Sequence, residues 1–435
     1  MTNIAVVVLD TLRKDTFDEH FGWLPGRRFE RAYSTANWTV PAHASLFTGR
    51  YASEVGVHAK NNYLDCSEPT LAERLRDSGY KTRAFSANTN VTGHFDFDRG
   101  FTDFRVPEKF EYMNDKTVFD WREFSRNTST SGVEKYLRGV YECFISDCAT
   151  LPSLKAGLQL KRDRNDAVEY GGALEAQTEI EEIDFGGREF LFLNLMEAHE
   201  PYRAPAKYMT VEEPSMTNAV GDRQFGDGVD AEQTTQAYKD CIRYLSDIYQ
   251  EIFHLLDEHF DYIITLSDHG EMLGEHGAWG HEHGVFNELT NVPLCISGSE
   301  LSGTCTETVN LHDVHQTVLD LAGVDGSSRG ESLLENVEGR EILTEYMGLT
   351  SWSERRFDAD REFEKYDRTL HGYAATVDYY GCETLDGFQE YGSERVNNPQ
   401  KRIEQLLSEL DVRDVNSDNE IPDEVKQQLE DLGYA

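Results

Sequence analysis

Four short apolar runs constrain this chain more than any other feature: Ile4–Leu9, residues 82–86, residues 190–195 and Tyr262–Leu266. None of them alternates apolar with polar residues, so each needs cover on both faces, as strands inside a parallel sheet do. Between them lie stretches with helical spacing, such as Thr70-Leu71-Ala72-Glu73-Arg74-Leu75-Arg76 and residues 238–259. Strands alternating with helices predict an α/β fold with a doubly wound, mainly parallel sheet flanked by helices.

The chain is 435 residues long, more than one compact unit normally holds. The expected division is a catalytic domain over 1–329, with a charged, weakly periodic helical insertion at about 105–180, and a C-terminal subdomain over 330–435. In the latter, residues 373–379 read as a strand. Tyr380-Gly381 and Leu385-Asp386-Gly387 read as turns of a small antiparallel sheet, and 422–432 as a closing helix stopped by Gly433. Residues 211–235, rich in Gly, Asp, Glu and Thr, read as a surface loop.

Asp and Glu number 80 against 41 Lys and Arg, a net charge of −39 spread along the whole chain. Such a surface repels nucleic acid and anionic lipid, and it stays soluble without self-repulsion where salt screens it; a halophile's high-salt cytoplasm is the expected setting. Met1-Thr2-Asn3 leads into the first run without a basic leader, and no segment approaches the roughly 18 apolar residues of a membrane span. The expectation is a soluble cytoplasmic protein. Its seven Cys have no CxxC spacing and read as reduced thiols; the oligomeric state stays open.

Ligands of open α/β sheets bind past the carboxyl ends of the strands. There the first run delivers Asp10, the third Glu197 and His199, and the fourth Asp268 and His269. Asp10, Asp268 and His269 suit one divalent cation, the oxygens favouring Mg²⁺, Mn²⁺ or Ca²⁺ and the imidazole admitting Zn²⁺. Trp38-Thr39-Val40-Pro41 through Gly49 reads as a helix start, a short helix and a glycine stop, with Thr39 in the capping region. The same position suits a nucleophile: first-turn N–H groups hold a tetrahedral oxyanion, and a metal lowers the hydroxyl's pKa. Residues 267–283 place four His among Gly and acids, a density that packing alone does not demand.

These segments resemble the sulfatase family of the alkaline-phosphatase superfamily. Val6-Val7-Val8-Leu9-Asp10-Thr11-Leu12-Arg13 looks like the family's opening strand with its metal-binding Asp, and residues 33–49 look like its nucleophile segment. Glu197-Ala198-His199-Glu200-Pro201-Tyr202 resembles its His-x-Pro-Tyr, residues 267–277 its second metal segment, and residues 313–324 the helix that follows. The resemblance implies a metal set of Asp10, Asp268 and His269 with Thr39 adjoining. It implies Thr39 as attacking group, His199 and His281 as contacts of the transferred oxyanion, and His43 and His283 as substrate-binding residues.

Two departures narrow this. Where sulfatases mature a Cys or Ser of Cys/Ser-x-Pro-x-Arg into formylglycine, this chain has Thr39-Val40-Pro41-Ala42-His43, so no formylglycine is expected. Thr11 stands where many sulfatases carry a second metal-binding Asp. A sulfated or phosphorylated Thr must be attacked at sulfur or phosphorus, as phosphothreonine is in the related phosphodiesterases and glycerol-phosphate polymer synthases, and Asp10, Thr39, Asp268 and His269 resemble the single-metal set of those synthases more than the formylglycine set. The expected activity is hydrolysis of a small-molecule or glycan sulfate or phosphate ester, a sugar ester by family habit. The alternatives are a phosphodiesterase or phosphoglycerol-type transferase acting through phosphothreonine, and a silent relative that binds an anionic glycan.

Overall fold

The computed structural model describes residues 2–110, 140, 141, 143, 148–150, 153, 154, 171–214, 229–335, 337–350, 353 and 363–414. Its main sheet is built from β1 (Ile4–Leu9), β2 (Arg27–Tyr33), β3 (Lys81–Ser86), β4 (Asp103–Arg105), β5 (Glu189–Leu195) and β6 (Tyr262–Leu266). After a two-stranded ribbon of β7 (Met272–Leu273) and β8 (Trp279–Gly280), β9 (Leu294–Gly298) and β10 (Gly303–Asn310) complete it. The order is β10-β2-β9-β6-β1-β5-β3-β4. All neighbours are parallel except at β9, which runs antiparallel to both β6 and β2.

The four apolar runs form the middle of this sheet, as expected, and the reason is visible in β1. Ile4, Val6 and Val8 enter the core on one face, with α2 (Thr39–Thr48), α3 (Leu71–Asp77) and α6 (Leu311–Ala322) packed over it. Ala5, Val7 and Leu9 enter the other, under α1 (Lys14–His20), α4 (Ala173–Glu182) and α5 (Ala231–Asp257). Each large aliphatic buried this way contributes roughly 1.5–3 kcal/mol. The outer strands β2 and β10 escaped the apolar-run rule because β2 carries Arg27, Arg28, Glu30 and Arg31, and the first five residues of β10 are largely exposed.

Three expectations need correction. The helix expected from 238 begins at Ala231, because Asp230 caps it by accepting from Gln233 N at 3.0 Å; its first turn holds no large apolar residue that periodicity could register. Residues 373–379 are not one strand. β12 (Thr369–Ala374) ends there, Ala375 N donating to Tyr379 O at 3.1 Å closes a turn, and Tyr380-Gly381 open β13 (Tyr380–Thr384) rather than turning. Leu385-Asp386 do turn into β14 (Gly387–Tyr391). The expected helix over 422–432 and most of the 105–180 insertion lie outside the described residues.

β11 (Ile342–Met347) heads the antiparallel sheet β11-β12-β13-β14, whose outer face takes Ile403, Leu406 and Leu407 of α7 (Pro399–Ser408). Its inner face packs on Met272, Ala278, Val285, Phe286 and Leu289 from the His-rich segment. β11 also ties directly to the approach of α2: Glu345 N donates to Thr35 O at 2.9 Å and Thr344 Oγ1 to Ser34 O at 2.8 Å. The small sheet therefore buttresses both loops on which the site is built. No described helix is long and apolar enough to cross a membrane.

Candidate active site

Asp10 follows β1, Asp268 and His269 follow β6, and Thr39 opens α2, so three connections meet at the carboxyl edge of the central strands. All four side chains are buried. One ligand atom from each of Asp10, Asp268 and His269 can be chosen so that all lie within 4.8 Å of one another. The turn that presents Asp268 and His269 needs glycine next: a Cβ on Gly270 would stand 2.0 Å from Glu288 O. Gly270→Ala is therefore expected to cost ~1–3 kcal/mol, read as a lower midpoint in denaturant unfolding, with weakened metal binding.

Thr39 is not the cap that its sequence position suggested. Trp38 occupies the N-cap, Thr39 is the first helical residue, and no side-chain cap bond forms. The Thr39 hydroxyl instead sits 3.2 Å from His269 Nε2 and accepts from Asn88 Nδ2 at 3.3 Å. His269 Nδ1 donates to Gly270 O at 2.9 Å, which assigns the ring proton there and leaves Nε2 with its lone pair toward Thr39.

Asn88 Nδ2 also donates to Asp10 Oδ2, at 2.8 Å, and Asn194 Nδ2 lies 3.4 Å from the same oxygen. Sequence reasoning missed both amides. Asn88 lies two residues past β3, where the strand-end rule applied to the second run would have found it; Asn194 is the one polar residue in an otherwise apolar run. Glu197, which that rule did find, serves elsewhere: its Oε1 accepts from Ala173 N at 2.7 Å at the start of α4. Thr11 turns its hydroxyl to Asp10 O at 2.7 Å, while its backbone N–H, at φ 59°, approaches Asp268 Oδ1 at 3.4 Å.

The donor set fits a divalent cation. Asp10 Oδ1 and Asp268 Oδ2 are buried oxygens with no hydrogen-bond partner among the described residues, a costly arrangement unless an ion completes it. Burial, and then the neighbouring Asp268 charge, push the Asp10 carboxyl up to about 8; burial pushes Asp268 up to about 7. Two carboxylates and one neutral imidazole lone pair make an oxygen-rich set with a borderline nitrogen.

Outside this set lies a cleft with about 460 Å³ of open space, bordered by Thr39, His199 and His281 together with Trp38, Asn90, Glu200 and Glu282. The His281 ring lies 4.5 Å from that of His269 and 5.0 Å from that of His199. Glu271, fully buried, accepts from His281 Nδ1 at 3.1 Å and sets the ring's orientation. His43 and His283, expected to bind substrate, do not border this cleft. His43 Nδ1 donates to Thr39 O at 2.9 Å while its Nε2 takes Asn194 Nδ2 at 3.0 Å; His283 Nδ1 pairs with Tyr346 Oη at 3.1 Å. Burial depresses both rings to about 3, which keeps them neutral.

A family model described as Sulfatase matches residues 24–324, which include Thr39, Asn88, Asn194, His199, Asp268, His269 and His281. The chain belongs to the sulfatase family. Among curated relatives, the family includes the uncharacterized sulfatase YidJ of Escherichia coli strain K12, 22% identical over 346 residues, covering 74% of this chain and 66% of the relative. It also includes a choline-sulfatase of Rhizobium meliloti strain 1021, 26% identical over 408 residues, covering 81% and 75%. The chain thus spans just under two thirds of YidJ's length. Among solved structures, the phosphonate monoester hydrolase of Silicibacter pomeroyi superposes with a TM-score of 0.59 at 16% identity, over 94% of this chain and 95% of that one. A protein solved with its substrate D-glucosamine-2-N,6-O-disulfate gives 0.58 at 16%, over 94% and 97%. At that identity these two establish a common fold, the mainly parallel sheet with a C-terminal antiparallel one. Ester hydrolysis is the family's chemistry.

Proposed function

We propose that the chain is a metal-dependent hydrolase of sulfate or phosphate esters of a small alcohol or sugar, with Thr39 as the attacking group. The observation that carries this reading is the Thr39 hydroxyl itself: relieved of capping, it sits between His269 Nε2 and Asn88 Nδ2 beside two carboxylates with unpaired buried oxygens. Asp10, Asp268 and His269, with Thr39 at their edge, would hold one divalent cation, Ca²⁺, Mg²⁺, Mn²⁺ or Zn²⁺. When bound, it supplies positive charge against the developing anion and lowers the hydroxyl's pKa.

The chain's own groups do the rest. Asn88 fixes the direction of the Thr39 oxygen, and the N-terminal end of α2 favours negative charge on it. The Thr39 hydroxyl gives up its proton to solvent, its Oγ1 bonds to sulfur or phosphorus as the bond to the ester oxygen breaks, and His199 or His281 supplies that leaving oxygen with a proton. Water then attacks the threonyl ester at sulfur or phosphorus, releasing the anion and restoring the hydroxyl. His199 and His281, side by side at the cleft, serve as contacts for the transferred oxyanion.

Matched aryl sulfate, aryl phosphate and aryl phosphodiester substrates, each with Mn²⁺, Mg²⁺, Ca²⁺ or Zn²⁺ at high KCl, test the reading. Cleavage of the sulfate or the phosphate monoester is the expected result. Cleavage of the diester alone would move the chain to phosphotransfer, and silence with every ester and metal would overturn hydrolysis altogether. The acidic surface, at −39, supports a high-salt cytoplasmic setting, and turnover is expected to rise with KCl.

A further inference from the structure

The Asp10 and Asp268 carboxylates are each held through one oxygen and left open at the other. Asp268 Oδ1 accepts from His269 N at 3.0 Å and is approached by Thr11 N at 3.4 Å. Asp10 Oδ2 takes Asn88 Nδ2 at 2.8 Å and Asn194 Nδ2 at 3.4 Å. A carboxylate oxygen with two N–H groups on it has both lone-pair sites taken. What remains is one oxygen from each, Asp10 Oδ1 and Asp268 Oδ2, buried and without a hydrogen-bond partner among the described residues.

The neighbouring amides are fixed with their nitrogens toward Asp10. Asn88 Oδ1 accepts from Asn90 N at 2.8 Å, which makes Nδ2 the end that faces the carboxylate. His43 Nδ1 donates to Thr39 O, an atom that can only accept, so His43 Nε2 is an acceptor and Asn194 must offer it Nδ2. The Thr11 hydroxyl is turned to Asp10 O.

The centre therefore presents one oxygen from each carboxylate, the His269 Nε2 lone pair and, at its edge, Thr39 Oγ1. From His269 Nε2 it is 3.2 Å to Thr39 Oγ1, 3.5 Å to Asp268 Oδ2 and 3.7 Å to Asp10 Oδ1. A tetrahedron with ligands ~2.0–2.2 Å from its centre has edges of about 3.3–3.6 Å. Calcium instead takes roughly six to eight oxygens, often with bidentate carboxylates, and magnesium keeps an octahedral shell that is largely water.

We infer that this site is built for a four-coordinate transition cation such as Zn²⁺ and discriminates against Ca²⁺ and Mg²⁺, because each carboxylate is confined to a single ligand oxygen. The inference rests on the metal-dependent reading of the same site and narrows its cation. It makes Asn88 and Asn194 positioning residues, whose N–H groups hold Asp10 to one ligand oxygen.

Co²⁺ is the probe, since four-coordinate Co²⁺ absorbs strongly in the visible and six-coordinate Co²⁺ weakly. Added in equimolar amount to the chelator-treated chain in high KCl, it is expected to give the strong bands, and Asp10→Asn to lose them while keeping its circular dichroism. The bound Co²⁺ is then displaced by Zn²⁺, Mg²⁺ or Ca²⁺, a competition read at this site alone and so independent of cations held on the acidic surface. Zn²⁺ should displace it stoichiometrically, whereas Ca²⁺ and Mg²⁺ should need on the order of a thousandfold excess or more. Asn88→Asp, which puts a carboxylate oxygen where an N–H stood, should narrow the gap between Zn²⁺ and Ca²⁺ about tenfold or more. Weak bands, no uptake of Co²⁺, bands that survive Asp10→Asn, displacement by Ca²⁺ within about tenfold of Zn²⁺, or a folded Asn88→Asp with an unchanged gap overturns the inference. Strong bands and the expected order of displacement in a chain that turns over no ester would keep the inference and sink the hydrolase reading.

Discussion

Thr39→Ala is expected to lower turnover on the order of 10⁴-fold or more, the usual consequence of deleting an attacking group. The fold should survive. Thr39 is almost fully buried, but of the two partners it leaves, Asn88 Nδ2 keeps its 2.8 Å bond to Asp10 and His269 keeps its 2.9 Å bond to Gly270 O. The stability cost should stay near 1 kcal/mol, seen as a small shift of the unfolding midpoint. Thr39→Ser, which keeps the oxygen, should retain measurable activity. Turnover by Thr39→Ala within tenfold of the unaltered chain would remove Thr39 from the chemistry.

Chelation is expected to abolish turnover and to change how stability responds to pH. In the metal-free fold the Asp10 and Asp268 carboxyls sit at about 8 and about 7, above the ordinary carboxylate range near 4. Raised carboxyls favour the protonated fold, so their support is complete below about pH 4 and is lost as pH rises through 7 to 8. The chelated protein should therefore lose thermal stability across that window. Added metal requires both carboxylates ionised, so it should displace protons and stabilise most at the alkaline end, by about 2.7 kcal/mol at a hundredfold excess over its Kd. Asp10→Asn removes one ionised ligand and should cancel both the metal-dependent rise in Tm and the activity. A pH-independent Tm in chelator, or full metal stabilisation of Asp10→Asn, would argue against this set.

The legible parts of the site were those where local pattern and chemistry coincide. Asp10, Asp268 and His269 stand immediately after apolar runs, and the strand-end rule needs only those runs. Thr39 was legible as a helix start, but whether its hydroxyl would cap α2 or face a reacting centre depended on where residues 49 and 230 positions away would lie. His43 and His283 show the limit of composition. Both belong to His-bearing motifs, yet neither borders the cleft, and burial keeps both rings neutral. The strands with charged residues, β2 and β10, and the polar first turn of α5 were illegible for a related reason: their places are fixed by partners, not by their own apolarity.

By itself the sequence determined the centre of the sheet, since a strand covered on both faces must be apolar at successive positions, and it determined the family through motifs spread from Asp10 to the helix after Asn310. Tertiary structure alone decided that Asn88 and Asn194 converge on one Asp10 oxygen, that buried Glu271 orients His281, and that Glu200, Glu282 and Asn90 share a wall. Hydrogen bonds act over about 3 Å between residues up to hundreds of positions apart, and only the folded sheet sets those distances.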